Sequence, residues 1–139
     1  MKYLLDTSVY VAMAVEEDIY HDQSVEFARS IVNAPLLTPT IVIAEVLTIV
    51  SKLKPSELTS AYRNLLKNEI VQLDLKFLQS FFKRVTVVDH LKASDLVIVV
   101  TASIHKTTLV TWDKGMLTYA GALCDVASPK TLLSQSIKA

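Results

Sequence analysis

Short apolar runs alternate along this chain with longer segments of helical spacing. Residues 2–5 make an apolar run that ends at Asp6-Thr7-Ser8. Val9, Val11, Ala12, Ala14 and Val15 then take up helical spacing behind a hydroxyl able to cap the turn. Residues 19–33 set Val25, Phe27, Ala28, Ile31 and Val32 among charges, which predicts a surface helix with His21 and Asp22 in solvent. A strand is expected over 36–38, with Pro39 at its boundary, and an almost wholly apolar helix over 41–53. Pro55-Ser56-Glu57 opens another helix through Leu58, Ala61, Tyr62, Leu65 and Leu66. A strand over 70–73 leads to Asp74, read as the N-cap of a helix over 75–83 whose Phe77, Phe81 and Phe82 are core or interface. Residues 85–90 read as an extended link.

Residues 91–116 organise the rest. Ala93-Ser94-Asp95 looks like a helix start, and the helix runs to about residue 104. His105-Lys106-Thr107 lets the chain turn, and residues 108–111 form a buried strand ending at Trp112-Asp113. Helix, tight turn and strand in that order are half of a βαβ unit. The pattern therefore predicts the α/β class, with a mostly parallel central sheet covered by helices on both faces. After Asp113 a loop and short helix, a weak strand over 122–126 and a tail over 129–137 are expected. No repeat, low-complexity block or linker interrupts the pattern, so residues 1–139 read as one domain.

Composition narrows the function. Apolar residues make up 51% of the 139, a surplus that favours an interface between subunits. No apolar run approaches the ~18 residues of a membrane span, and Lys2 followed directly by a strand is no signal peptide. A cytoplasmic protein is expected. Cys124 stands alone, without a disulfide partner or companions for a cysteine metal site. Fourteen basic and fourteen acidic residues cancel, which excludes a strongly basic nucleic-acid module but not a local basic patch. The only glycines are Gly115 and Gly121, so no dinucleotide fingerprint, phosphate-binding loop or nucleophile elbow can be written.

Four carboxylates carry the candidate chemistry. Asp6 and Asp113 stand at the carboxyl ends of predicted strands, where open α/β sheets bind ligands. Asp95 lies in the first turn of a helix. Helix capping is the alternative role for Asp6, but Thr7 and Ser8 are able to cap without it. Glu45 interrupts the apolar helix, sharing a face with Ile41, Val42, Thr48 and Ile49. A lone charge on a buried face costs several kcal/mol unless compensated. A neutral Glu or a lysine partner is the bland explanation; Lys52 and Lys54 lie at the helix end, and a bound cation accounts for Glu45 better. If the first strand lies beside the one before Asp113, the four carboxylates meet in one pocket and raise one another's pKa. A hard divalent cation removes that conflict, and all-oxygen ligation selects Mg²⁺ or Mn²⁺ over zinc. The implied reaction is phosphoryl chemistry by a metal-activated water.

At these residues the chain resembles the PIN-domain ribonucleases, and specifically the VapC-type toxins of toxin–antitoxin pairs. The resemblance spans essentially the whole length. It rests on L-L-D-T-S at 4–8, I-A-E-V at 43–46, A-S-D-L-V-I-V-V-T-A at 93–102 and L-V-T-W-D at 109–113. It implies an α/β/α sandwich and Mg²⁺- or Mn²⁺-dependent hydrolysis of RNA. It also implies Asp6, Glu45, Asp95 and Asp113 as the catalytic, metal-holding set, with Thr7 and Thr111 as supporting hydroxyls. A homodimer and a small cognate antitoxin are further implications. The chain departs from many relatives in carrying Gly115-Met116 where they have an acidic residue and an aromatic shortly after the last Asp, which puts a second metal position in doubt. A haloacid-dehalogenase-like phosphatase wants an Asp where Ser8 stands. A response-regulator receiver would not place Glu45 on an apolar helix. The alternatives that survive are an RNA-processing nuclease outside any toxin pair and a catalytically weak PIN-fold binding module.

Overall fold

The computed structural model describes residues 1–138. Five strands, β1 (Tyr3–Leu5), β2 (Leu36–Pro39), β3 (Glu69–Val71), β4 (Thr108–Val110) and β5 (Val126–Ala127), form one sheet. Their order is β3-β2-β1-β4-β5, and every neighbouring pair is parallel. Parallel strands need crossovers, which the helices supply. These are α1 (Thr7–Ala14), α2 (His21–Ser30), α3 (Thr40–Leu53), α4 (Leu58–Leu65), α5 (Leu75–Arg84), α6 (Ala93–His105), α7 (Lys114–Tyr119) and α8 (Pro129–Lys138).

Alternation along the central strands separates two cores, because successive side chains leave a strand on opposite faces. Leu4 and Leu109 point to one face and pack with Val42, Val46 and Val50 of α3 and Ile98, Val99 and Ala102 of α6. Leu5 and Val110 point to the other and pack with Val9, Phe27, Leu132 and Leu133 from α1, α2 and α8. The result is the expected three-layer α/β/α arrangement.

α6 is apolar nearly all round because it is covered on two sides. Ile98, Val99 and Ala102 face the sheet, while Leu96 and Val100 meet Phe77 and Val88 beneath α5. It ends at Lys106, which takes the left-handed conformation (φ 52°) so that the Thr107 amide donates back to the Ala102 carbonyl at 3.0 Å. Strand β4 then starts in register, with Thr108 opposite Tyr3 and Val110 opposite Leu5.

Several expectations change. Residues 85–90 are turns and bends, not an extended link, because buried Val88 folds back into the cluster between α5 and α6. The last strand starts at Val126; residues 120–122 form a 3₁₀ turn instead. The expected tail is helix α8, started by Ser128, whose Oγ accepts the Thr131 amide at 3.1 Å. His21 is half-buried, with Nδ1 2.7 Å from the Ala12 carbonyl oxygen, tying α2 to α1. Asp74 caps α5 as expected, accepting the Phe77 amide at 2.8 Å.

Candidate functional site

Sheet order decides where a ligand has room. The connection from β1 runs to β2 on one side, while β4 lies on the other, so the crossovers part above the carboxyl ends of β1 and β4. Leu5 and Val110 are register partners, and the Asp6 amide donates to the Val110 carbonyl at 2.9 Å. Asp6 and Thr111, each the next residue, therefore emerge side by side at that opening.

Asp6 is buried, at 5% exposure, and its carboxylate does not cap α1. Its Oδ2 instead accepts two hydroxyls, Thr111 Oγ1 at 2.8 Å and Ser8 Oγ at 2.9 Å. Each hydroxyl is fixed in turn by a backbone amide: Trp112 N–H donates to Ser8 Oγ and Asp113 N–H to Thr111 Oγ1, both at 3.0 Å. One carboxylate oxygen is thus held by two relays that begin in the backbone after β4. Burial raises the Asp6 pKa, opposed first by the Thr111 and Ser8 hydroxyls.

The three other carboxylates arrive on separate helices. Glu45 Oε1 accepts the Thr7 hydroxyl at 2.9 Å, so Thr7 joins the first strand's end to α3. Asp113 caps α7, its Oδ1 accepting the Met116 amide at 2.9 Å. Asp95 sits in the first turn of α6. Its pKa is raised first by burial, then by repulsion from Asp113 and Asp6 and less from Glu45, while Lys92 lowers it. Asp113, Asp6 and Glu45 therefore each act on Asp95, with Lys92 the cation that offsets them there.

Glu45 needs a correction. The buried side of α3 is the row Val42, Val46, Val50, one residue round from the row Ile41, Glu45, Ile49 that the sequence pointed to. Glu45 is half-buried at the flank of the apolar face, where the Thr7 hydroxyl reaches it. Its burial therefore does not by itself demand a cation. Ser8, in the first turn of α1, reads as a cap in the sequence, yet its hydroxyl turns back to Asp6. Its place two residues after a strand-end Asp is the signal that finds it, since side chains in a helix tilt toward its N-terminus.

The donor set fits a hard divalent ion in its chemistry: oxygen only, negatively charged and with little local compensation. Among the described residues, no three His, Cys, Asp or Glu side chains stand close enough to ligate one ion together. Mg²⁺ keeps several of its waters and uses one or two carboxylates directly.

Gly115 bears on the departure noted above. A Cβ there would lie 3.1 Å from Asp113 Oδ1, so a side chain would press on the carboxylate as it caps α7. Trp112, between Thr111 and Asp113, is locked as well: its ring stacks on Tyr20 at 4.1 Å and its Nε1–H donates to buried Ser24 at 2.8 Å.

Among solved structures, FitAcB from Neisseria gonorrhoeae matches with TM-score 0.74 at 21% identity, covering 92% of this chain and 98% of that one. VapBC2 from Rickettsia felis, bound to a DNA fragment from its promoter, matches at 0.68 and 22% identity over the same shares. VapC20 from Mycobacterium tuberculosis, a Sarcin-Ricin loop cleaving toxin, matches at 0.67 and 12% identity, covering 84% of this chain and 94% of that one. At such identities these likenesses establish the fold. No curated protein matches the chain. Residues 3–122 match the PIN domain family, and the chain belongs to it.

Proposed function

We propose that this protein is a divalent-metal-dependent endoribonuclease and the toxin of a toxin–antitoxin pair. The observation that supports the reading is the placement of Asp6 beside Thr111 at the sheet's switch point, its carboxylate held by two hydroxyls, with Asp113, Asp6 and Glu45 near enough to repel the charge of Asp95. PIN-domain membership supports nuclease chemistry in general. The likeness to VapC20, which cleaves the Sarcin-Ricin loop, supports RNA as substrate. Mg²⁺ or Mn²⁺ held by this set supplies Lewis acidity toward the phosphodiester and toward water. The side chains do the rest. Ser8 and Thr111 fix one oxygen of Asp6, Thr7 orients Glu45, and the Met116 amide orients Asp113. Partners under this reading are an RNA substrate, a second copy of the chain and a small cognate antitoxin. Among the described residues no helix is long and apolar enough to cross a membrane.

The spacing of the carboxylates favours a second reading, a PIN-fold binding module with little catalysis. Cleavage of labelled single-stranded RNA separates the two. With Mg²⁺ or Mn²⁺ the wild type cuts, while EDTA, Asp6→Asn and Asp95→Asn each abolish cutting in proteins that remain folded. A wild type that neither cuts RNA nor binds either metal gives the second reading.

A further inference from the structure

An aromatic pair on the segments flanking Asp95 and Asp113 is left unused by the proposed chemistry. The ring of His90 stacks on that of Tyr119 with centroids 4.6 Å apart and planes at 28°. Both are exposed: the His90 side chain at 60% and Tyr119 at 39%. The pair is tied to the candidate site through the chain beside each ring. Leu91, next to His90, reaches within 3.8 Å of the Cβ position of Gly115, which itself neighbours Asp113 Oδ1. The turn carrying His90 is thus packed against the first turn of α7. Tyr119 lies six residues beyond Asp113 along the same helix, roughly 9 Å at the helical rise.

Charge on the same two segments suits a nucleic-acid strand. Lys92 follows His90 by two positions and Lys114 follows Asp113 directly; both are exposed, and neither makes an ion pair among the described residues. The nearest acid to the pair is Asp89, whose Oδ1 lies 3.0 Å from His90 Nε2 and orients the ring. Single-stranded nucleic acids are held by aromatic faces for the bases with cations beside them for the backbone. Histidine and tyrosine are both among the side chains on which unstacked RNA bases lie. An aliphatic partner surface would need neither exposed lysines nor polar rings.

We infer that the His90–Tyr119 pair is a base-stacking platform that seats a nucleotide flanking the cut, with Lys92 and Lys114 holding the adjoining phosphates. The platform rests on the ribonuclease reading and adds a specificity-determining element to it. Tyr119 and His90 touch a base and not the reacting atoms, so they govern RNA affinity and position.

The test uses short single-stranded RNAs carrying 2-aminopurine at successive positions, bound with Mg²⁺ to the full chain in an Asp95→Asn background. One position is quenched on binding. Adding Tyr119→Ala removes that quench and weakens binding on the order of 5- to 150-fold, the range of one lost base stack. Tyr119→Phe restores both, and circular dichroism shows each variant folded. In the otherwise wild-type enzyme Tyr119→Ala raises KM and leaves kcat within about twofold, since uniform binding is what it loses. RNA that binds with no quenched position, or with equal quench and affinity in Tyr119→Ala, overturns the platform and leaves the nuclease reading standing. A wild type that neither binds nor cuts RNA overturns both.

Discussion

Asp95 occupies a place that penalises its charge, through burial first and the fields of Asp113, Asp6 and Glu45 after it. The folded chain therefore holds this proton more tightly than the unfolded chain, whose carboxyl titrates near its ordinary value of 3.8. Stability from this group is complete below that value and is lost as pH rises through the folded pKa. The same sign holds for Asp6. In EDTA the melting temperature should fall as pH rises from about 4 to 7. Asp95→Asn should flatten that fall and melt higher than wild type at neutral pH. Mn²⁺ should then stabilise wild type more than the variant, because an ion that binds only the folded state stabilises by mass action. Melting curves that coincide for the two proteins across this range would remove the repulsion argument. Ser8 offers a second check, since Ser8→Ala leaves the Trp112 amide unpartnered and takes a hydroxyl from Asp6. A loss of about 1–3 kcal/mol in urea unfolding is expected.

At the scale of elements, α6 holds the fold and presents the site. Ile98 is fully buried against the sheet, so Ile98→Ala should cost about 2–5 kcal/mol. Lys106 is the described residue other than glycine with a positive φ. Lys106→Gly should relieve its strain and stabilise by about 0.5–1 kcal/mol, read from the urea midpoint. Much of this element was legible in the sequence: Asp95 in a first turn, the turn at 105–107 and the strand ending beside Asp113. Those features rest on local patterns with few competing solutions. The cap at Asp74 was legible for the same reason. What escaped depended on neighbours distant in sequence. The buried row of α3 was set by contact with the sheet and α6, which shifted it one residue away from Glu45. The fold of residues 85–90 followed from Val88 finding a pocket between two helices. Helix α8 is weakly apolar alone and is held by Leu132 and Leu133 against the cluster around Phe27. The places of Asp6, Asp95 and Asp113 were legible because a strand end and a helix start can be read from sequence. Their separation cannot.

The whole molecule leaves an apolar stripe uncovered. Leu75, Leu78 and Phe82 of α5 are exposed at 72%, 47% and 80%, while Phe77 and Phe81 of the same helix turn inward. The spacing of three and four residues puts the exposed three on one face. This is the surplus that the composition foreshadowed, and it fits the proposed pairing with a second copy. Light scattering on the purified chain should give a dimer, and Phe82→Lys should shift it toward monomer at unchanged melting temperature. Phe82 lies on none of the elements that carry the four acids, so that variant should still cut RNA. The proposed function requires a cation among Asp6, Glu45, Asp95 and Asp113. Crystals of the wild type soaked in Mn²⁺ and measured for anomalous scattering test this most directly. A peak is expected at the carboxyl ends of β1 and β4, bordered by Asp6 and at least one of the other three acids, and no peak in Asp95→Asn. A wild-type crystal with bound Mn²⁺ only elsewhere, or with none at all, would contradict it.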